Sequence, residues 1–158
     1  MIRIQLDPNA RRVAQRLVLV SEALNDMRPL AGPLRSIFLS FMRRHFSSRG
    51  SYARVPWVPL SPRYAAWKAR HFPGKPIMRL RDVLYGSLTQ TGHPMAVNTV
   101  TRRRIEFGTR VPYARAHQHG VPGRLPQRVV IPAPTKVEGE QIADAVLAYL
   151  LRAYRGQR

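Results

Sequence analysis

The chain has 158 residues, enough for one domain with its own hydrophobic core, and contains no cysteine, which excludes disulfides and thiolate chemistry. Lys+Arg is 27 against 8 Asp+Glu, a formal net charge of +19, and Lys68, Lys75 and Lys136 are the only lysines, leaving 24 arginines. That charge repels itself in a compact state and calls for an anionic partner, while the arginine bias favours forked contacts to phosphate or carboxylate.

Ile2, Ile4 and Leu6 alternate with Arg3 and Gln5, the pattern of a short edge strand. Asp7-Pro8 follows, an N-cap and then proline at the first helical position. The first helix runs to about Asn25, with Val13, Leu17, Val20 and Leu24 on one stripe and Arg11, Arg12 and Arg16 off it. Pro29, Gly32 and Pro33 break the chain before a second helix, which turns Leu34, Ile37, Phe38, Phe41 and Met42 inward and Arg35, Arg43 and Arg44 outward. Residues 47–59 read as a loop in which Trp57 and Val58 supply apolar bulk for docking. Ser61-Pro62 starts a third helix with Tyr64 and Trp67 near one face, ended by Pro73-Gly74-Lys75-Pro76. Leu80, Leu84 and Leu88, four apart, predict a short fourth helix ending near Thr89.

Met95 and Val97 alternate with Ala96 and Asn98, and Thr101, Arg103, Ile105 and Phe107 alternate with Arg102, Arg104 and Glu106. Two strands joined by a hairpin through residues 98–101 are expected, with Arg102 and Arg104 projecting from the face opposite Ile105 and Phe107. Gly108-Thr109 ends the second strand, and Tyr113 to Gly120 predicts a brief helical turn closed by glycine. Val129, Val130 and Ile131 suggest a further short strand closed by Pro132 and Pro134. The last helix opens on the capping box Thr135-x-x-Glu138, turns Ile142, Val146, Leu150 and Ala153 inward, and carries Arg152 and Arg155 in its last turns. No repeat or composition break divides the chain. Residues 1–158 read as a single α+β domain, helices packed on a small, mainly antiparallel sheet.

No apolar run approaches the length of a membrane span, and the N-terminus has no apolar export core, so a chain folded in a reducing cytoplasm is expected. The eight carboxylates are scattered, Ser61 and Ser87 sit in no nucleophile elbow, and Gly74-Lys75 lacks the upstream glycine of a P-loop. His117 and His119 lie two apart with few carboxylates to support them, so structural histidines are expected, with no metal and no cofactor. The residues predict no enzyme. Arg102-Arg103-Arg104 with Arg43-Arg44 suits sequence-independent phosphate contact, and no zinc-finger or RRM spacing points to base reading.

Four motifs, in order, resemble the phage virion morphogenesis family of the Mu-like type. They are Trp57-x-Pro59-Leu60-Ser61 with Tyr64 and Trp67-Lys68; Lys75-Pro76-Ile77-Met78-Arg79-Leu80 with Leu84 and Ser87-Leu88; Ile105-x-Phe107-Gly108-Thr109; and Tyr113-Ala114 with His117-Gln118-x-Gly120. The chain departs from the family pattern at Arg81-Asp82-Val83 and at Pro126–Val130. The resemblance implies a structural virion protein that completes the tail and joins it to the head, located at the head–tail neck and in the host cytoplasm during assembly. It implies a ring, commonly sixfold, touching neck, connector and tail proteins, with no membrane partner. A tail-terminator ring is the neighbouring reading, and a free DNA-binding accessory protein the reading from another class. Arg102, Arg103, Arg104, Arg43 and Arg44 are the candidates for lining a DNA channel. Trp57, Pro59, Leu60, Tyr113, His117 and Gln118 are the candidates for subunit or partner contact, Trp57 being expected partly exposed.

Overall fold

A computed structural model describes residues 8–156, with side chains from Arg11 onward, so the strand expected over 2–6 and its following cap lie outside the described residues. Within them the fold is α+β, six helices and one two-stranded antiparallel sheet. The helices are α1 (Pro8–Leu24), α2 (Ala31–Ser47), α3 (Pro62–His71), α4 (Val83–Thr89), α5 (Ala114–His119) and α6 (Lys136–Tyr154). The strands are β1 (Ala96–Val100) and β2 (Ile105–Thr109), paired from Ala96↔Thr109 to Val100↔Ile105.

Helix α2 is the hub, packing on α4 and β2 as well as on α6. Phe41, Met42 and Phe46 on its inner face join Trp57, Leu84, Leu88, Val111, Ala114 and Val130 in the core. Met42 and Leu88 are fully buried, each contributing roughly 1.5–3 kcal/mol of transfer free energy. The N-terminal half of the predicted α2 stripe, Leu34, Ile37 and Phe38, is only half-buried.

Three elements differ from expectation. Helix α4 starts at Val83, so Leu80 belongs to the preceding loop. The hairpin turns at residues 101–104, where the Thr101 N–H donates to the Arg104 carbonyl at 2.8 Å. The three arginines therefore form the turn, where adjacent like charges splay apart, and the strand begins at Ile105. Residues 129–131 pair with no strand among the described residues, and side chains bond their backbone. The Val129 carbonyl accepts His45 Nε2–H at 2.9 Å and Trp57 Nε1–H at 2.8 Å. Gln118 Oε1 accepts the Val130 and Ile131 N–H groups at 2.8 and 2.9 Å, and Gln118 Nε2 donates to the Ile131 carbonyl at 3.1 Å.

The α1 stripe also differs. Helix α1 packs on α6, where Arg16 stacks 5.1 Å from the Tyr154 ring and Tyr149 donates its hydroxyl to the Asp26 carbonyl at 2.6 Å. A single neighbour covers only one line of a helix, so Val13, Leu17 and Leu24 stay exposed. On α6 the expected inner face, Ile142, Val146, Leu150 and Ala153, is half-buried. Its capping box is rebuilt: Thr135 donates its hydroxyl to the Glu138 carboxylate, which also accepts the Tyr52 hydroxyl at 2.8 Å and lies 3.7 Å from Arg44 Nη1. Burial pushes the Glu138 pKa up, but these hydrogen bonds outweigh it and hold the group below its ordinary value.

Trp57→Phe keeps the core filled and removes one donor from Val129, so a loss of about 1 kcal/mol in urea unfolding is expected, against about 3–5 kcal/mol for Trp57→Ala. Stability is also expected to fall with acid in two steps. Burial lowers the His45 pKa below 6.5 despite the Val129 hydrogen bond, so the unfolded chain takes up its proton first and stability is complete only above about pH 6.5. Glu138, lowered from 4.5, stabilises above that pH, and its contribution is lost as pH falls through the folded value. Unfolding midpoints at pH 8, 5.5 and 4 measure both steps, and His45→Gln shrinks the first, leaving the share of His117, whose pKa burial also lowers.

Candidate functional site

Residues 57–61, α3, the loop before α4 and the segment 113–128 come together around two adjoining grooves of about 440 and 500 Å³. Leu60, Tyr64, His117 and Arg128 line both. Lys68, Arg79, Arg81 and Tyr113 extend the first, and Pro59 and Arg124 the second. These volumes lie in the range of ligand and side-chain docking sites. The floor is aromatic and aliphatic, and every charged residue in the lining is a cation.

Backbone strain and buried donors hold this arrangement. Met78 and Asp82 both adopt left-handed backbone (φ +63° and +58°), costing on the order of 1–3 kcal/mol each, and bracket the residues that carry Arg79 and Arg81. Arg79 Nε donates to Asp82 Oδ1 at 2.7 Å and its guanidinium lies 3.9 Å from the Tyr85 ring centroid, while Lys75 pairs with the same carboxylate. Lys68 is buried at 5% exposure with Nζ 2.5 Å from the Pro76 carbonyl, and burial pulls its pKa down. Arg128, also buried, donates Nε to Val58 O at 2.7 Å and Nη2 to Pro59 O at 2.9 Å. Its Nη1 makes no hydrogen bond among the described residues. Burial and the charge of Arg128 lower the His117 pKa, and its Nδ1 is buried without a partner among the described residues. Gly120, in left-handed backbone at φ +73°, closes α5, and a Cβ there would stand 3.0 Å from the Gln127 nitrogen.

Among the sequence candidates, Pro59, Leu60, Tyr113 and His117 meet in this groove. Tyr113 is 49% exposed. Trp57 does not join them: at 6% exposure it packs edge-on against His45 and Phe46, which corrects the expectation of a partly exposed docking side chain. Gln118 does not join them either: its side chain is committed to the 130–131 backbone, and His117 meets the following loop only through its carbonyl, which accepts the Arg128 N–H at 2.8 Å. Tyr64, Lys68, Arg124 and Arg128 were missed as site residues. Only the spacing of Tyr64 and Lys68, i and i+4 on one helix, signalled them.

The arginine candidates do not form one cluster. Arg102, Arg103 and Arg104 are exposed at the hairpin tip, where Arg104 pairs with Glu106 and the Arg102 carbonyl accepts the Met27 N–H at 2.7 Å. Arg103 lines a separate apolar groove of about 510 Å³ with Ile37, Phe38, Ile105 and Phe107. Arg43 donates to the Thr89 carbonyl at the end of α4. Arg44 binds Tyr52 and Ser40 beside Glu138, so its role in the fold is structural. Ser87, buried and hydrogen-bonded to Leu84 and Thr109, likewise serves the packing of α4 on β2. Among the described residues no three His, Asp or Glu side chains gather to hold a metal ion, and no helix is long and apolar enough to cross a membrane.

Comparison with protein-family models, with curated proteins and with solved structures finds no match to this chain.

Arg128→Met removes two charge-assisted hydrogen bonds and is expected to cost about 2–3 kcal/mol in chemical unfolding. Arg128→Lys should recover less than half of that, because one ammonium does not reproduce a fork.

Proposed function

We propose that the chain is a structural phage virion protein of the neck or tail-completion type, which forms a ring that completes the tail and joins it to the head around the DNA channel. One observation carries this reading: Pro59, Leu60, Tyr64, Lys68, Leu80, Tyr113 and His117, drawn from three of the four motifs behind the family resemblance, are scattered over nearly 60 positions of sequence yet line one pair of adjoining grooves. A surface of aromatic and cationic side chains suits protein docking. The lining brings His117 no carboxylate or thiol to work with, so a binding role is favoured over catalysis.

The hairpin tip carries the second part of the proposal. Arg102, Arg103 and Arg104 are exposed together at the tip of a two-stranded hairpin, a compact basic patch that can meet an anionic surface. In a ring they approach the channel and contact phosphate without reading sequence. Copurification with intact particles, and rings of the isolated protein in negative stain, test the assignment; absence from particles would leave a free DNA binder.

Arg102→Gln/Arg104→Gln is expected to leave folding stability within about 0.5 kcal/mol, since both side chains are exposed. Assembled particles should then retain DNA less well, with a shallower salt dependence of binding. Unchanged retention would remove these arginines from the channel.

A further inference from the structure

The grooves described above lack a counter-charge, and the same chain carries a surface that supplies one. On α6 the side chains Glu140, Asp144, Leu147 and Leu151 fall at spacings of four, three and four, one stripe about 16 Å long. All four are exposed, Leu147 at 56% and Leu151 at 41%, although the opposite face of α6 packs on α1 and α2. Asp144 forms no ion pair among the described residues, and Glu140 reaches only the exposed Lys136 at 3.7 Å, a contact worth little. Lys136 and Arg155 end this stripe at the same spacing, and between them its acidic and leucine-bearing centre is the complement of a cationic groove floored by Leu60, Leu80, Tyr64 and Tyr113.

We infer that the outer face of α6 of one copy seats in the cationic groove of the next, the repeating contact of the ring. This rests on the ring proposed above. The groove and the stripe belong to different elements, the groove to α3, the loop before α4 and residues 113–128, the stripe to α6 alone. Two non-overlapping surfaces that fit each other make a heterologous contact, which closes into a ring when the rotation allows. The other exposed apolar stripe, Val13, Leu17 and Leu24 on α1, is flanked by Arg11, Arg12 and Arg16 and is repelled by the same groove. The overall +19 does not forbid the contact, because charges beyond about 8 Å are screened at physiological salt and local complementarity decides. In the seated state Asp144 and Glu140 meet Arg81 and Arg124, the two exposed groove cations that form no side-chain bonds among the described residues. His117 gains a nearby carboxylate.

Analytical ultracentrifugation of the full chain at physiological salt tests the pairing. Wild type is expected to assemble, whereas Asp144→Arg and Arg81→Glu/Arg124→Glu each weaken self-association about tenfold or more. Mixed in equal amounts, the two variants should recover assembly in alternating order, because one contact is wild-type and the other has its charges exchanged. Asp144→Arg combined with Arg81→Glu in one chain should recover assembly. Every substituted side chain is exposed, and circular dichroism and Tm equal to wild type confirm that folding is intact. A wild type that stays monomeric overturns the pairing and the ring reading together. Wild-type rings that persist in both variants overturn the pairing alone. Loss of binding to an acidic peptide or to duplex DNA by the groove variant, with self-assembly unchanged, also overturns it and gives the groove a different occupant.

Discussion

The carbonyl of Val129 is the point on which this fold turns. It accepts two ring N–H groups, one from His45 on the central helix and one from Trp57 in the loop that leads to α3. Residues 128–131 run beside the core, with Arg128 and Val130 buried, but have no neighbouring strand among the described residues. Buried backbone must be satisfied, and here side chains do what a ladder does elsewhere. Gln118 takes the next two N–H groups and returns one hydrogen bond, so a single amide replaces a strand partner.

The same strap builds the groove. Arg128 sits one residue before the latched carbonyl, and its own backbone N–H is held by His117. Its guanidinium reaches across to Val58 and Pro59, fixing the segment that carries Leu60. His117 and Gln118 are neighbours with opposite duties, one side chain turned to the groove and the other to the strap. A substitution in the core at Trp57 or His45 therefore reaches the groove through one shared piece of backbone.

The sequence made the helices legible where period and boundary signals agreed. The Thr135 start of α6, the Pro62 start of α3, and Leu84 and Leu88 on α4 follow directly from spacing and caps. The α+β class and the antiparallel pairing of residues near 97 and 107 were legible for the same reason. What stayed hidden depended on contacts distant in sequence. Val129-Val130-Ile131 has the composition of a strand, and only the remote His45, Trp57 and Gln118 decide otherwise. Alternation ran through Thr101–Phe107 without a break, so period alone could not reveal that the arginines sit at a turn. In the candidate site, Pro59, Leu60, Tyr113 and His117 could be named because they stand in the motifs that carry the family resemblance. Lys68 and Arg128 could not, because a buried cation looks like a surface one until its carbonyl partners are known. Trp57 misled for the converse reason: a proline-rich loop suggests exposure, yet the indole nitrogen has a partner inside.

The two tryptophans end in opposite settings. Trp57 is enclosed by Phe46 and His45, whereas Trp67 is 41% exposed in a stack, 5.4 Å from Tyr64 and 4.9 Å from His71. An indole in contact with water emits at longer wavelength than one in an apolar enclosure, so the chain carries two optical reporters separable by colour. The blue edge of the emission follows the integrity of the core around the strap. The red edge follows Tyr64 and therefore whatever settles beside it, which lets melting and occupancy be watched in one cuvette without a label.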